Sequence, residues 1–214
     1  MRRLLAIATV FILGGTPAHA GRVVVEVVDT SGHPVADAVV SLAPRPGTPA
    51  RTIAPATHYV DQKDETFLPF VTAMHVGDSV IFRNSDTTRH HVYSFSDMVK
   101  FETMLAPGES SPALVMKGPG NAAVGCNIHD QMLTYLYVTK DPEIATTDAQ
   151  GRASIDGVVA GDYVAHAWHP QLRPGVILPI QGVTVNESIP ATVRFNLALL
   201  PDPRGAMDRE HLGY

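Results

Sequence analysis

Along most of this chain, apolar and polar residues alternate with a period of two, in short runs separated by Gly, Pro, Asn and Asp. Val23–Asp29 reads Val-Val-Val-Glu-Val-Val-Asp, and Ser79–Asn84 reads Ser-Val-Ile-Phe-Arg-Asn. A period of two sends successive side chains to opposite faces of a strand, so such runs predict half-buried β-strands. Strands are predicted over 22–29 and 36–42, then near 58–62, 70–76, 79–84, 90–95, 99–104, 112–117, 121–126 and 133–139. Two more follow near 151–156 and 161–168. The eight central runs, divided by Gly, Pro and Asp turns, suit a Greek-key sandwich or barrel. The chain shows no heptads, no repeat array, no phosphate-binding glycine loop and no hydrolase elbow. The predicted fold class is all-β.

Composition agrees, with 17 Gly and 17 Pro among 214 residues. Residues 1–20 change the picture. Met1-Arg2-Arg3 gives a charged start, a short apolar run follows, and Ala18-His19-Ala20 closes it, which predicts a secretory signal peptide cleaved after Ala20. The apolar run is too short for a bilayer span, so no stable membrane insertion is expected and a periplasmic or otherwise secreted protein is. Removing Arg2 and Arg3 takes the formal charge from −5 to −7, because residues 1–20 contain no acid. That acidity argues against nucleic acid as a partner. About 190 residues remain, large for one small sandwich, so a second folding unit is expected.

Export also sharpens the reading of Cys126, the only cysteine. In an oxidising compartment it has no internal partner, and a metal bond would protect the thiol. His129 lies three residues on and Met132 three further. A thiolate, an imidazole and a thioether, joined by a second imidazole, make the ligand set of a mononuclear blue-copper centre. The run Asn84 to Val92 supplies His90 and His91 for that second imidazole, and the alternation puts them on opposite faces, so only one ligates. Axial bonds in such sites are long and weak, so Asp130 or Gln131 competes with Met132. His166 and His169 flank Trp168 in what reads as a structural role, and His33, His58 and His75 read as surface or turn residues.

The segment Val124–Met132, with Asn84-x5-His90-x-Val92 ahead of it, resembles the cupredoxins, the small blue-copper electron carriers. Phe67-Leu68-Pro69 and Val76-Gly77-Asp78-Ser79-Val80-Ile81-Phe82-Arg83-Asn84 are similar to strands of that family. The tight Cys-x2-His-x2-Met spacing is closest to amicyanin-type members, and the segment as a whole to those labelled "methylamine utilization". The resemblance covers roughly residues 58–139 and implies one type 1 copper site cycling between Cu(I) and Cu(II). Its register selects His90, with Cys126, His129 and Met132, as the ligands. It departs at His91, where the family usually has Asn; that side chain ties the two ligand-bearing loops together. Asn84 and the backbone near Cys126 would form the outer shell that tunes the thiolate. The resemblance further implies an electron carrier rather than an enzyme, with the ring edge of His129 reaching the surface inside an apolar docking patch. Redox partners would be a dehydrogenase, such as one for amines, and a cytochrome or oxidase. Copper delivery or storage, with Met98, Met104 and Met116 as candidates, and a red-copper redox enzyme are the competing classes.

Around this segment, Val23–Leu42 and Thr146–Trp168 together resemble a carboxypeptidase regulatory-like domain, a seven-stranded sandwich. The resemblance rests on Asp29-Thr-Ser-Gly32-His-Pro34-Val35, Thr147-Asp148-Ala-Gln-Gly151 and Gly161-Asp-Tyr163. The expected order is a signal peptide (1–20), a first part of that sandwich with a Pro-rich connector (21–57), the cupredoxin-like unit (58–140), the rest of the sandwich (141–198) and a tail (199–214). Insertion at an exposed loop is cheap, because the inserted unit needs only closely spaced ends.

Overall fold

The structure, a computed structural model, describes residues 20–202 and 204. The predicted signal peptide lies outside the described residues except for Ala20, as does most of the predicted tail. In chain order the strands are β1 (Ala20–Asp29), β2 (Val39–Pro44), β3 (Thr57–Lys63), β4 (Thr66–Leu68), β5 (Val71–His75), β6 (Ser79–Asn84), β7 (His90–Ser96) and β8 (Val99–Leu105). They continue with β9 (Leu114–Val115), β10 (Gly120–Cys126), β11 (Leu133–Thr139), β12 (Glu143–Thr146), β13 (Arg152–Val159), β14 (Gly161–Trp168), β15 (Ile180–Val185) and β16 (Ala191–Leu197). The protein is all-β, as the alternation predicts.

Four sheets form, in the orders β13-β1-β16, β12-β2-β14-β15, β5-β11-β10-β7-β8 and β4-β3-β6-β9. The first two use only strands from the ends of the chain, and the last two only β3–β11. Strands far apart in sequence therefore meet: β1 pairs antiparallel with β13 and parallel with β16. Sequence alternation drives this directly, since Val23, Val25 and Val27 are buried while their neighbours on β1 are not. They join Val40, Leu42, Ala165, Val193 and Phe195 in one apolar core.

A second core sits between the sheets of β3–β11, built on Val60, Phe67, Phe82, Val92, Val124 and Leu136. A third, smaller cluster of Val39, Phe70, Val71, Tyr137 and Trp168 joins the two halves. It explains why β11 is buried on both faces: Leu136 and Val138 pack inward, whereas Tyr137 stacks on the Trp168 ring at 4.9 Å. No helix among the described residues is long and apolar enough to cross a membrane.

One predicted strand is much shorter than expected and some strands were not expected at all. The run near 112–117 shrinks to the two residues of β9, because Met116 turns inward, donating its N–H to the Asp78 carbonyl while its own carbonyl accepts from Gly77. The short strand β4 is additional. It pairs with β3 through a two-residue turn in which Asp64 and Glu65 both adopt positive φ, 51° and 53°, the mirror-image turn that matches strand twist. Strands β12, β15 and β16 were not predicted.

Candidate metal centre

On β7 the buried positions are His90, Val92 and Ser94, while His91 and Tyr93 turn to the other face. On β10 they are Ala122, Val124 and Cys126. Pairing of Cys126 with Val92 across these strands brings the thiol to the same end of the core as His90. The loop after Cys126 is then pulled tight. The Cys126 N–H donates to the Met132 carbonyl at 3.3 Å, and the Met132 N–H donates to the His129 carbonyl at 3.1 Å.

The result is a triangle of donor atoms. Cys126 Sγ lies 3.7 Å from His90 Nδ1 and 3.9 Å from His129 Nδ1, and the two nitrogens are 3.1 Å apart. These edges enclose a point about 2.1 Å from all three atoms, within the range of metal–imidazole and metal–thiolate bonds, about 2.0–2.3 Å. Among the described residues this is the group of His, Cys and carboxylate side chains close enough to hold a metal ion. Burial is deep: His90 is 0 % exposed, Cys126 4 % and Met132 2 %. Met132 packs in the same cluster as Cys126. Two nitrogens and a sulfur converging on one point are a soft donor set with trigonal character.

His91 stands outside this group. Its Nδ1 is 3.5 Å from Asn127 Nδ2, and its carbonyl accepts from the Asn127 N–H at 3.0 Å, so it tethers the loop that carries His129. Asp130 is exposed, and the Gln131 amide turns to Glu65 at 3.3 Å. Met116 is buried in the core, Met98 packs under Gly120, and Met104 is exposed beside Arg89. His58 and His75 both approach the buried Asp78, at 2.9 and 3.7 Å. His169 is buried too, 3.1 Å from the Ala36 carbonyl, and desolvation lowers its pKa.

Asn84 does not address the thiolate; it builds the loop that carries His90. Its Nδ2 donates to the carbonyls of Thr88 and Leu105 at 2.8 and 3.0 Å, and its Oδ1 accepts from the Asp86 N–H at 2.9 Å. Asp86 is a residue that sequence reasoning passed over. Its Oδ2 lies 2.8 Å from His90 Nε2. Burial pushes the Asp86 carboxyl up, but bonds from the His90 ring and from the backbone N–H groups of Glu65 and Asp64 outweigh it, holding the pKa below the usual 3.8. An ionised carboxylate only accepts, so His90 donates from Nε2 and keeps its Nδ1 lone pair aimed at the centre. Glu65 was missed as well: its Oε1 lies 3.5 Å from His129 Nε2. The only sequence signal was the position of Asp86 inside the Asn84–His90 loop; nothing local to Glu65 announces it.

No protein family profile matches the chain, and no protein of curated function matches it. Solved structures similar to it are copper proteins of the cupredoxin kind. A purple cupredoxin from Nitrosopumilus maritimus is 18 % identical, with 38 % of this chain and 99 % of that one covered, at a TM-score of 0.34. Amicyanin from Paracoccus versutus is 17 % identical over 46 % of this chain and 91 % of that one, at 0.36. A copper-containing nitrite reductase from Thermus scotoductus is 25 % identical over 54 % of this chain but 28 % of that one, at 0.36.

Proposed function

We propose that this chain is an exported copper protein with one type 1 site, held by His90, Cys126, His129 and Met132, that passes single electrons between redox partners. The observation that carries this reading is the triangle of His90 Nδ1, Cys126 Sγ and His129 Nδ1 in a buried pocket beside Met132. Copper bound there would supply a one-electron couple at a polarisable thiolate. The chain does the rest. Cys126 and His90 sit on hydrogen-bonded strands of one sheet, β10 and β7, so these two donors are fixed before any ion arrives. Burial excludes water from three of the four groups, and four protein donors leave no position for a substrate.

His129 is the route outward, because its side chain keeps 17 % exposure while the other three donors are enclosed. Ile128 and Met104, 48 % and 53 % exposed, offer apolar contact on the ligand loop and beside His91. A small patch suits a transient encounter, since weak binding allows fast release. The partners proposed are a dehydrogenase, such as one for amines, on the donor side and a cytochrome or oxidase on the acceptor side. The copper unit is read as residues 58–140, inserted between β2 and β12 of the outer sandwich. That reading is supported by sheets that never mix strands of the two sets. The test is potentiometric titration of the copper-loaded protein with small mediators. One reversible electron per chain, with no turnover of nitrite or oxygen, is expected; multi-electron turnover would instead assign it to the redox enzymes.

A further inference from the structure

We infer that the β3–β4 turn and the loop before β7 form a carboxylate brace, Asp86 on His90 and Glu65 on His129, which biases the centre toward its oxidised, more highly charged form. This rests on the copper reading above and adds to it two positioning residues that touch the imidazoles from behind.

Three observations converge. First, the outer nitrogen of His90 meets Asp86 Oδ2 at 2.8 Å, and the outer nitrogen of His129 meets Glu65 Oε1 at 3.5 Å, so both imidazoles face carboxylates on the side away from Cys126. Secondly, the brace is one connected piece. The backbone N–H groups of Asp64 and Glu65 both donate to the Asp86 carboxylate, the second at 3.1 Å, so the turn that carries Glu65 also clamps Asp86. Thirdly, the backbone is committed to this arrangement. Asp64 and Glu65 take positive φ of 51° and 53°, which side chains other than Gly adopt only where the surroundings demand it. Asn84 Oδ1 holds the Asp86 N–H from the other direction, and Gln131 holds the second Glu65 oxygen.

The physical consequence follows from charge. A carboxylate accepting from an imidazole N–H raises the electron-donating power of the far nitrogen. Two negative charges behind the ring pair favour Cu(II) over Cu(I), the more so for Asp86, which is largely shielded from solvent, with a side chain 10 % exposed. Glu65 is 42 % exposed and farther from its ring, so it acts more weakly.

The experiment compares wild type, Asp86→Asn, Asp86→Ala and Glu65→Gln by chelator competition for Cu(II) and for Cu(I), with the midpoint potential measured in parallel. Asn keeps an acceptor oxygen for His90 but loses both the charge and the acceptor for the Asp64 N–H, whereas Glu65→Gln leaves that clamp intact and separates electrostatics from positioning. Cu(II) affinity should fall about 10–100-fold in Asp86→Asn while Cu(I) affinity changes less. Each tenfold difference raises the potential by about 59 mV for a one-electron couple. Glu65→Gln should move it the same way by a smaller factor, and Asp86→Ala should also broaden the spin-resonance signal. Equal Cu(II)/Cu(I) ratios in wild type, Asp86→Asn and Glu65→Gln, with the visible spectrum retained, would overturn the brace. A wild type with no thiolate band would instead overturn the copper reading itself.

Discussion

The two sandwiches of this protein differ in how much polar and sulfur-bearing material their cores hold. The apolar core of the outer one is Val, Leu, Ala, Ile and Phe with Tyr163, whose hydroxyl donates to the Val159 carbonyl at 2.8 Å, and its buried polar residues are Ser41, Glu143, Thr147 and His169. The inner one carries Met74, Met116, Met132 and Cys126 among its apolar residues and buries His90, Asn84, Gln62 and Thr134 as well. Its other end buries Asp78, which accepts from the N–H groups of His75 and Ala56, both at 2.8 Å, beside the His58 ring. Burying polar groups costs stability unless they are partnered, so the larger set in the inner unit marks where the fold gives up apolar packing. The group of His90, Cys126 and His129 lies in the inner one.

The sharpest break of that comparison lies within one strand. His90→Ala should abolish the type 1 spin-resonance signal, whereas His91→Ala, which loses ring contacts with Asn127 and Glu102, should perturb it slightly. The reverse result would put the wrong face of β7 in the core. Next comes separability of the units. A chain with 58–139 replaced by a short linker should still unfold cooperatively, because β1, β2 and β12–β16 close their own core. Loss of cooperative unfolding would show that the outer sandwich depends on the inner one.

A smaller effect is expected from Leu42→Ala in the outer core, where Leu42 is fully buried. It should reduce stability by about 2–5 kcal/mol in denaturant titration and leave the visible spectrum unchanged. The smallest effect is electrostatic. Burial pushes the Asp78 carboxyl up, but the backbone N–H groups of His75 and Ala56 and the His58 ring outweigh it, so its folded pKa lies below 3.8. Its stabilisation is therefore complete above the unfolded value and is lost as pH falls through that value toward the folded one. Metal-free Asp78→Asn should be less stable than wild type near about pH 5, and the gap should narrow toward about pH 3.

Much of this was legible in the chain because a period of two is a strong local signal. It placed β1, β6, β7, β10 and β11, and with β7 it set His90 and His91 on opposite faces. The spacing Cys126-x2-His129-x2-Met132 survives because a tight loop keeps neighbours in sequence close in space. What stayed hidden depends on contacts with no sequence period. Strand β4 is three residues long, and the β3–β4 turn uses Asp64 and Glu65 at positive φ with no Gly to announce it. The bond from Asp86 to His90 spans an irregular loop, and that of Glu65 to His129 joins residues far apart along the chain.

The central claim is that Cys126 is a metal-bound thiolate within a His–Cys–His triangle. Its most direct test is titration of the metal-free protein with Cu(II), followed by visible absorption, for wild type and Cys126→Ser. Wild type should develop an intense thiolate-to-copper band that saturates at one copper per chain, and Cys126→Ser should show none. A band of equal strength in both proteins, or none in wild type, would contradict it.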